Sequence, residues 1–461
     1  MSKFLFTTLP SNDLGLLTRS LPIAKELAKS GHKIAFSSPA KAPDRLIREA
    51  GFTNLRPKHP LYQIKSISFR GIMEFIRSQE LQTEYGNIFN FLFQLIRSIP
   101  LKFAPATNEI WNMDHAAAIA GMMNKNFVKA ICEAYKKLII DCAADIVVDF
   151  WNPFACIAAR RLKKPLITVI QSDQHPDNKG LIWWKKPPKN LPSALPVVNQ
   201  IMSGFGLGEI TKMEELNIGD LTLVVGIPET DPVPVDNNCI HIGPILWENS
   251  DVRLPEWINK ISNEKPLIWV YSGNPRYRRK RTVVDSEIII QAAVQVLAEE
   301  DVTVILTTGH HELPEELLPL PDNFYFAKYL PGLRLAEICD LMIHHGGYGS
   351  CQTGLYTGTP AVIIPTFSER ESNARRIAAL SAGEFVLPVL NAVNEKAVDL
   401  NEFRAKVKMV LATPSYLKNA KKYSKLLKTF GGPQKAAQKI KGFADDVMAR
   451  RQNKLSFLPG R

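Results

Sequence analysis

The chain has 461 residues, 45% of them hydrophobic and 22% charged, with no low-complexity tract or internal repeat, which excludes a disordered or solenoid protein and leaves room for roughly two or three domains. Its net charge of +12 is confined to one end: residues 401–461 hold 15 Lys/Arg against 3 Asp/Glu, while residues 1–400 balance. Such a tail suits either a solvated helix face or contact with an anionic membrane surface, and without a zinc-finger spacing or interleaved aromatics it does not point to nucleic acid. The six cysteines form no CxxC pair, so neither a zinc site nor a disulfide framework is expected and a cytoplasmic setting fits. The start, "MSKFLFTTLP", has too short an apolar core for a signal peptide, and no run reaches the ~18 apolar residues of a spanning helix.

In chain order, "SKFLFTTLPSNDLG" reads as a strand with a polar exit, and "LTRSLPIAKELAKSGHKIAFSS" as an amphipathic helix closing near Gly31 before a second strand. Residues 85–137 are helical and rich in Phe, Ile and Met, an insertion that could line an apolar pocket or simply pack a core. "DIVVDFW", "KPLITVIQ" and "LTLVVGIP" continue the strands, with "FACIAARRL" as a helix between the first two. The loop "GLIWWKKPPKNLP" carries two tryptophans that suit a lid, an interfacial contact or a buried anchor.

Residues 246–264 break the rhythm with charged and turn residues and read as a linker, after which "LIWVYSG", a helix around 284–299, "VTVILTT", "DLMIHHGG", a helix from Ser350, "AVIIP" and a helix from about Ser372 restart it. The expected organisation is α/β with two Rossmann-like parallel-sheet domains, 1–245 and 265–425, followed by a basic helical tail, 426–461.

"HHGGYGSCQTGLYTGTPAVIIP" (344–365) sits where a buried strand hands over to a helix, the edge at which open α/β sheets bind ligands. A helix N-terminus offers unpaired N–H groups, and glycines let a phosphate approach the backbone, so the segment suits a diphosphate cradle; a tight structural turn would give the same spacing. The pattern fits neither GxGxxG nor a P-loop. His344 and His345 are adjacent and have no carboxylate at a ligand spacing, so no metal is expected.

Extended as far as Pro388, that segment resembles the donor-binding signature of the GT-B nucleotide-sugar glycosyltransferases, the family of the bacterial macrolide and plant or animal UDP-sugar transferases. The matching features are HGGYGS at 345–350, Gly358 and Pro360 of the GxP, Pro365 opening the sugar loop, and Asn373-Ala374; "LPIAKELAKSGHKIAF" and "YLPGLRLAEICDLMIHHGG" extend the likeness more loosely.

The resemblance implies a GT-B fold, two domains facing a cleft, and a nucleoside-diphosphate sugar as co-substrate with no further cofactor. By similarity His345, Gly347, Gly349 and Ser350 would hold the diphosphate, Ser272, Gly273 and Asn274 would close around it, and Tyr329 would stack on the base. The sugar-loop Asp-Gln of the family is Glu369-Arg370 here, and its ribose-binding Glu is Thr353.

The departure with most chemical weight is in the first loop, where the family's proton-accepting Gly-His reads Gly15-Leu16. Leucine accepts no proton, so Asp13, Asp149 and His175 are the candidate bases, in that order. Two readings remain open: an inverting transferase acting on an apolar small-molecule or lipid acceptor, or a non-catalytic relative that binds nucleotide sugar.

Overall fold

A computed structural model describes residues 1–9, 14–60, 86–98, 109–234, 238–247, 252–262, 264–273, 287–309, 311–392 and 395–456. Two parallel sheets dominate. The first contains β1 (Lys3–Thr8), β2 (Lys33–Ser37), β3 (Thr53–Asn54), β4 (Ile146–Phe150), β5 (Leu166–Ile170), β6 (Leu221–Val225) and β7 (Cys239–Gly243), in the order β3-β2-β1-β4-β5-β6-β7. The second contains β8 (Leu267–Tyr271), β9 (Thr303–Thr307), β10 (Phe324–Ala327), β11 (Leu341–His344), β12 (Ala361–Ile363) and β13 (Gly383–Phe385), in the order β10-β9-β8-β11-β12-β13.

The central strands are buried at almost every residue, which is why they read as unbroken apolar runs: helices cover both faces of each sheet. Strand order reverses between β1 and β4 in one sheet and between β8 and β11 in the other, and each reversal opens a crevice at the carboxyl ends of the strands. Asp149 stands at the first crevice, Ser272 and His345 at the second.

The helical insertion is broken rather than continuous. Its described parts are Ile88–Ser98, Met113–Ile119 and Lys125–Asp141, the last two started by Asn112 and Asn124, whose side-chain oxygens accept the amides of His115 and Phe127. The helix Met113–Ile119 and the turn after it line, with the β1 and β4 exits, a small apolar pocket that includes Leu9, Met113, Ala117, Met122, Trp151 and Phe154.

The C-terminal segment crosses back between domains. After the helix Pro414–Lys428, which lies on the second domain, Gly431 and Gly432 take positive φ values of 86° and 50° and the helix Gly432–Ser456 begins. Its Ala436, Ala437, Ile440 and Ala444 are buried in the core of the first domain with Leu21, Leu27 and Ile242. Among the described residues no helix is long and apolar enough to cross a membrane.

Asp149 bridges β1 and β4 in the interior. One oxygen accepts the Thr7 hydroxyl, the other the Asn152 amide at 2.8 Å, and Asn152 in turn donates to the Thr8 carbonyl and the Tyr135 hydroxyl, both at 2.9 Å. Burial pushes the Asp149 carboxyl up to about 6, against the pull of these hydrogen bonds.

Two outcomes are expected. Because the folded pKa of Asp149 lies above its unfolded value of ~3.9, its contribution is complete below that pH and is lost as pH rises through about 6, on the order of 3 kcal/mol across the window. Asp149→Asn should flatten that part of the stability–pH curve, and an unchanged slope would refute it. Ile440→Ala should cost about 2–5 kcal/mol in urea unfolding followed through the first domain, since it empties a fully buried site. A loss under about 1 kcal/mol would mean that the helix is only loosely attached.

Candidate functional site

Three loops converge at the carboxyl edge of the second sheet. Ser272–Gly273 leaves β8, Thr308–Gly309 comes after β9, and His345–Gly347 leaves β11 for the helix Tyr348–Thr357. Gly273 has φ 86°, and a Cβ there would lie 2.9 Å from His345 Cε1; a Cβ at Gly309 would lie 2.8 Å from the Gly273 carbonyl oxygen. Glycine is therefore needed where these loops close on the imidazole. At Gly349, by contrast, nothing lies within 4 Å of the place a Cβ would take, and the residue is exposed.

Among the described residues, the first amide of this helix to find an acceptor is that of Cys351, which donates to the Gly347 carbonyl at 3.1 Å. The amides of Tyr348, Gly349 and Ser350 stand ahead of it in the first turn, where a helix has no acceptors of its own. Among the described residues, buried polar atoms of this region without a partner include the Ser272 hydroxyl and Nδ1 of His345, with Nε2 of His344 and Oε1 of Gln352.

Both histidines are neutral. Burial pushes His344 down to about 3, and its Nδ1 accepts the Gly346 amide at 3.1 Å, so it shapes the turn. Burial, then the Arg370 charge and His344, hold His345 well below the usual range, so it offers a neutral imidazole.

The helix carrying the sugar-loop pair begins at Ser368, four residues before the expected Ser372, so Glu369 and Arg370 occupy its first turn. Acidic residues suit that end, where the macrodipole is positive. Asn373 Nδ2 donates to the Gly346 carbonyl at 2.9 Å and to Glu369 Oε1 at 3.3 Å, while Arg370 Nη1 donates to Thr366 Oγ1 at 2.8 Å. The Arg370 main chain packs on Gly346, where a Cβ would meet its carbonyl oxygen at 2.7 Å. Arg370 is thus fixed beside the cradle, and its charge acts on both His345 and Tyr271.

The remaining sequence candidates divide. Ser272, Gly273, His345, Gly347, Gly349, Ser350, Glu369 and Arg370 come together around one crevice, and Tyr329, half-buried, lies close enough to Tyr271 for their phenols to interact. The Thr353 hydroxyl donates to the Gly349 carbonyl at 2.9 Å. Asn274 and Asp13 lie outside the described residues. Asp149, offered as a proton acceptor, is 1% exposed with both oxygens engaged, so in this conformation it braces the strand ends instead of facing the cleft. His175, also offered, is buried; its Nδ1 accepts the Asp177 amide at 3.2 Å, which closes the local turn. Leu16 is half-buried against the first core.

Several residues that sequence reasoning passed over join the domains. Arg376 donates to the Ser172 hydroxyl and the Asp173 carboxylate and lies 3.8 Å from Asp231. Burial pushes Asp173 up to about 7 against the pull of Arg376, with Asp231 and Glu369 adding to the rise. The tryptophan loop is an interdomain contact: Trp183 Nε1 donates to Ser372 Oγ at 3.2 Å, and the Arg375 guanidinium sits 4.6 Å from the Trp184 ring centre. Partners up to 204 residues apart leave no local signal.

Residues 284–442 match the family described as erythromycin biosynthesis protein CIII-like, C-terminal domain. An uncharacterized UDP-glucosyltransferase, YojK of Bacillus subtilis (strain 168), is 26% identical over 227 residues, 48% of this chain and 51% of its own. The NDP-glycosyltransferase YjiC of the same strain is 30% identical over 238 residues, 50% of this chain and 55% of its own. The chain thus spans about half the length of these curated relatives. The structure of CalG4, the calicheamicin glycosyltransferase, superposes with a TM-score of 0.64 at 17% identity, over 96% of this chain and 98% of that one. With two parallel-sheet domains and this superposition the chain has the GT-B fold, and within it residues 284–442 are similar to the erythromycin biosynthesis protein CIII-like C-terminal domain.

Proposed function

We propose that the protein is an inverting, metal-independent glycosyltransferase that moves a sugar from a nucleoside-diphosphate sugar to a hydroxyl of an apolar small-molecule or lipid acceptor. The observation that carries this reading is the pairing of open first-turn amides at Gly349 with the partnerless buried atoms of Ser272 and His345. Buried polar atoms without partners are costly, and a diphosphate would satisfy them all.

The leaving diphosphate carries negative charge that must be met without a metal. The amides and helix dipole supply part of it, and neutral His345 contributes a hydrogen bond but no charge. Arg370, fixed beside the cradle, supplies the cation, which gives the Gln-to-Arg departure from the family pattern a role at the phosphates. Glu369 remains the acceptor for sugar hydroxyls and Tyr329 the platform for the base.

On the other side of the cleft the small apolar pocket by Trp151 and Phe154 is the entry to the acceptor site. Trp151 holds φ 60°, an unusual conformation for a residue with a side chain and one that functional loops tolerate. With Asp149 and His175 engaged elsewhere, Asp13 is assigned as the base that takes the acceptor's proton as its oxygen attacks the anomeric carbon. Closure of the cleft excludes water and favours transfer over hydrolysis.

The exposed Lys418, Lys421, Lys422 and Lys425 on the helix Pro414–Lys428 suit peripheral contact with the anionic inner face of a membrane, in a cytoplasmic setting.

Asp13→Asn should lower transfer by about 10²–10⁴-fold while UDP binding, measured by calorimetry, stays within a few-fold. Full activity in that variant would remove Asp13 from the mechanism. If the wild type binds sugar nucleotides yet turns none over with any acceptor tried, the non-catalytic reading stands instead. Arg370→Gln should weaken UDP binding by about 10–100-fold, since a charge-assisted contact to phosphate is lost. Unchanged affinity would show that Arg370 serves only its Thr366 contact.

A further inference from the structure

The residue between the glycines of the signature points away from the crevice. Tyr348 opens the helix Tyr348–Thr357, yet its ring is buried in the core of the first domain, and the Arg19 guanidinium lies 5.2 Å from the ring centre. Its hydroxyl is 2.8 Å from the Val225 carbonyl oxygen and 2.8 Å from Asp231 Oδ2.

Asp231 is fully buried and held by its own domain: the Ser172 amide donates to Oδ1 at 3.2 Å and the Thr230 hydroxyl to Oδ2 at 2.9 Å. Arg376 of the helix Ser368–Ala379 approaches the same carboxylate at 3.8 Å from Oδ1. One first-domain carboxylate is therefore approached from both helices at the crevice, by the Tyr348 hydroxyl within hydrogen-bond distance and by the Arg376 guanidinium as an ion pair, while the hydrogen bonds of Arg376 go to the neighbouring Ser172 and Asp173. Gly226 makes room for the meeting. It has φ 95°, and a Cβ there would fall onto Asp231 Oδ2 and within 2.8 Å of the Tyr348 hydroxyl.

We propose that Asp231, acting through Tyr348 and Arg376, is a positioning residue that fixes the donor cradle against the acceptor-binding domain. It touches no substrate. Tyr348 is the first residue of the helix whose adjoining amides face the diphosphate, so its anchor sets where those amides stand relative to the acceptor. Arg376 does the same for the helix that carries Glu369 and Arg370. A buried carboxylate with donors from across a cleft is costly to strand, so the two domains keep one register while the contacts hold. Transfer depends on that register because reacting atoms must be held at near-contact distance, whereas binding of the nucleotide does not.

This inference rests on the transferase reading, and its test separates the two. Tyr348→Phe removes the hydroxyl and keeps the ring with its Arg19 contact; Asp231→Asn keeps the shape and removes the charge. Spin labels on Lys125→Cys and Lys418→Cys, placed at exposed positions while the six native cysteines are buried, report the interdomain distance without turnover.

Both variants should broaden that distance distribution, lower single-turnover transfer by about 10–100-fold and raise the share of donor lost to hydrolysis, with the UDP dissociation constant within about threefold of wild type. Tyr348→Trp, which restores a buried donor, should recover part of the transfer rate. An unchanged distance distribution overturns the proposal, whether or not the wild type proves to be a transferase. So does a loss of UDP affinity matching the loss of transfer, which would place Tyr348 inside the donor pocket. Lower thermal stability with full transfer by the folded fraction would also overturn it, leaving the contacts a purely structural role. A wild type without turnover, but with broadened distances in both variants, would refute the transferase reading while supporting the latch.

Discussion

A helix can offer its first amides to an anion only where the chain itself leaves the space in front of them vacant. In this protein the first turn of the helix Tyr348–Thr357 is exposed at Gly349, and among the described residues no atom lies within 4 Å of a notional Cβ there. Nearly everything else in the second domain serves to keep that place clear and correctly surrounded. The β8–β11 order reversal opens the crevice, Gly273 and Gly309 let neighbouring loops close against His345, and the Asn373 amide holds the Gly346 carbonyl so that the turn cannot fold inward.

The electrostatics show a division of labour. The histidines beside the crevice are too buried to carry charge, so they can shape and hydrogen-bond without competing with a cation for the ligand. Charge is brought in by arginines from one helix, Ser368–Ala379, with Arg370 turned toward the crevice and Arg375 and Arg376 toward the other domain. A single helix therefore carries Glu369 and Arg370 and touches the tryptophan loop and the buried acids of the first domain.

The elements most legible in sequence were those whose signal is local. The largely apolar strands β1, β4, β5, β6, β8, β9 and β11 stand out because a strand covered on both faces carries few polar residues. Some short or half-exposed strands did not, although β2 and the three-residue β12 did. In β7, His241 is buried and bonded to the Asp231 carbonyl; β10 has an exposed Tyr325, and β13 is three residues long. Helix starts slipped by two residues at Tyr348 and four at Ser368, since neither has a side-chain cap to mark it. The strand-exit residues that meet at the second-domain crevice were readable as a group, whereas the fate of Asp149 was not: its hydrogen bond with Thr7, far away in sequence, needs the β1–β4 pairing to exist first. Tyr348, sited inside a recognisable motif, gave no hint of its crossing to Asp231.

The return of the C-terminal helix has a mechanical consequence. The chain passes from the first domain to the second just after Gly243–Pro244 and comes back through Phe430–Gly432, and the two passages lie against each other: a Cβ at Gly432 would strike the Pro244 carbonyl oxygen, and one at Gly243 would strike Phe430. Two chain segments side by side behave as a strap hinge, stiff to twisting and compliant to bending. Relative motion of the halves is thereby restricted largely to one axis, because twisting would pull the two adjoining passages apart.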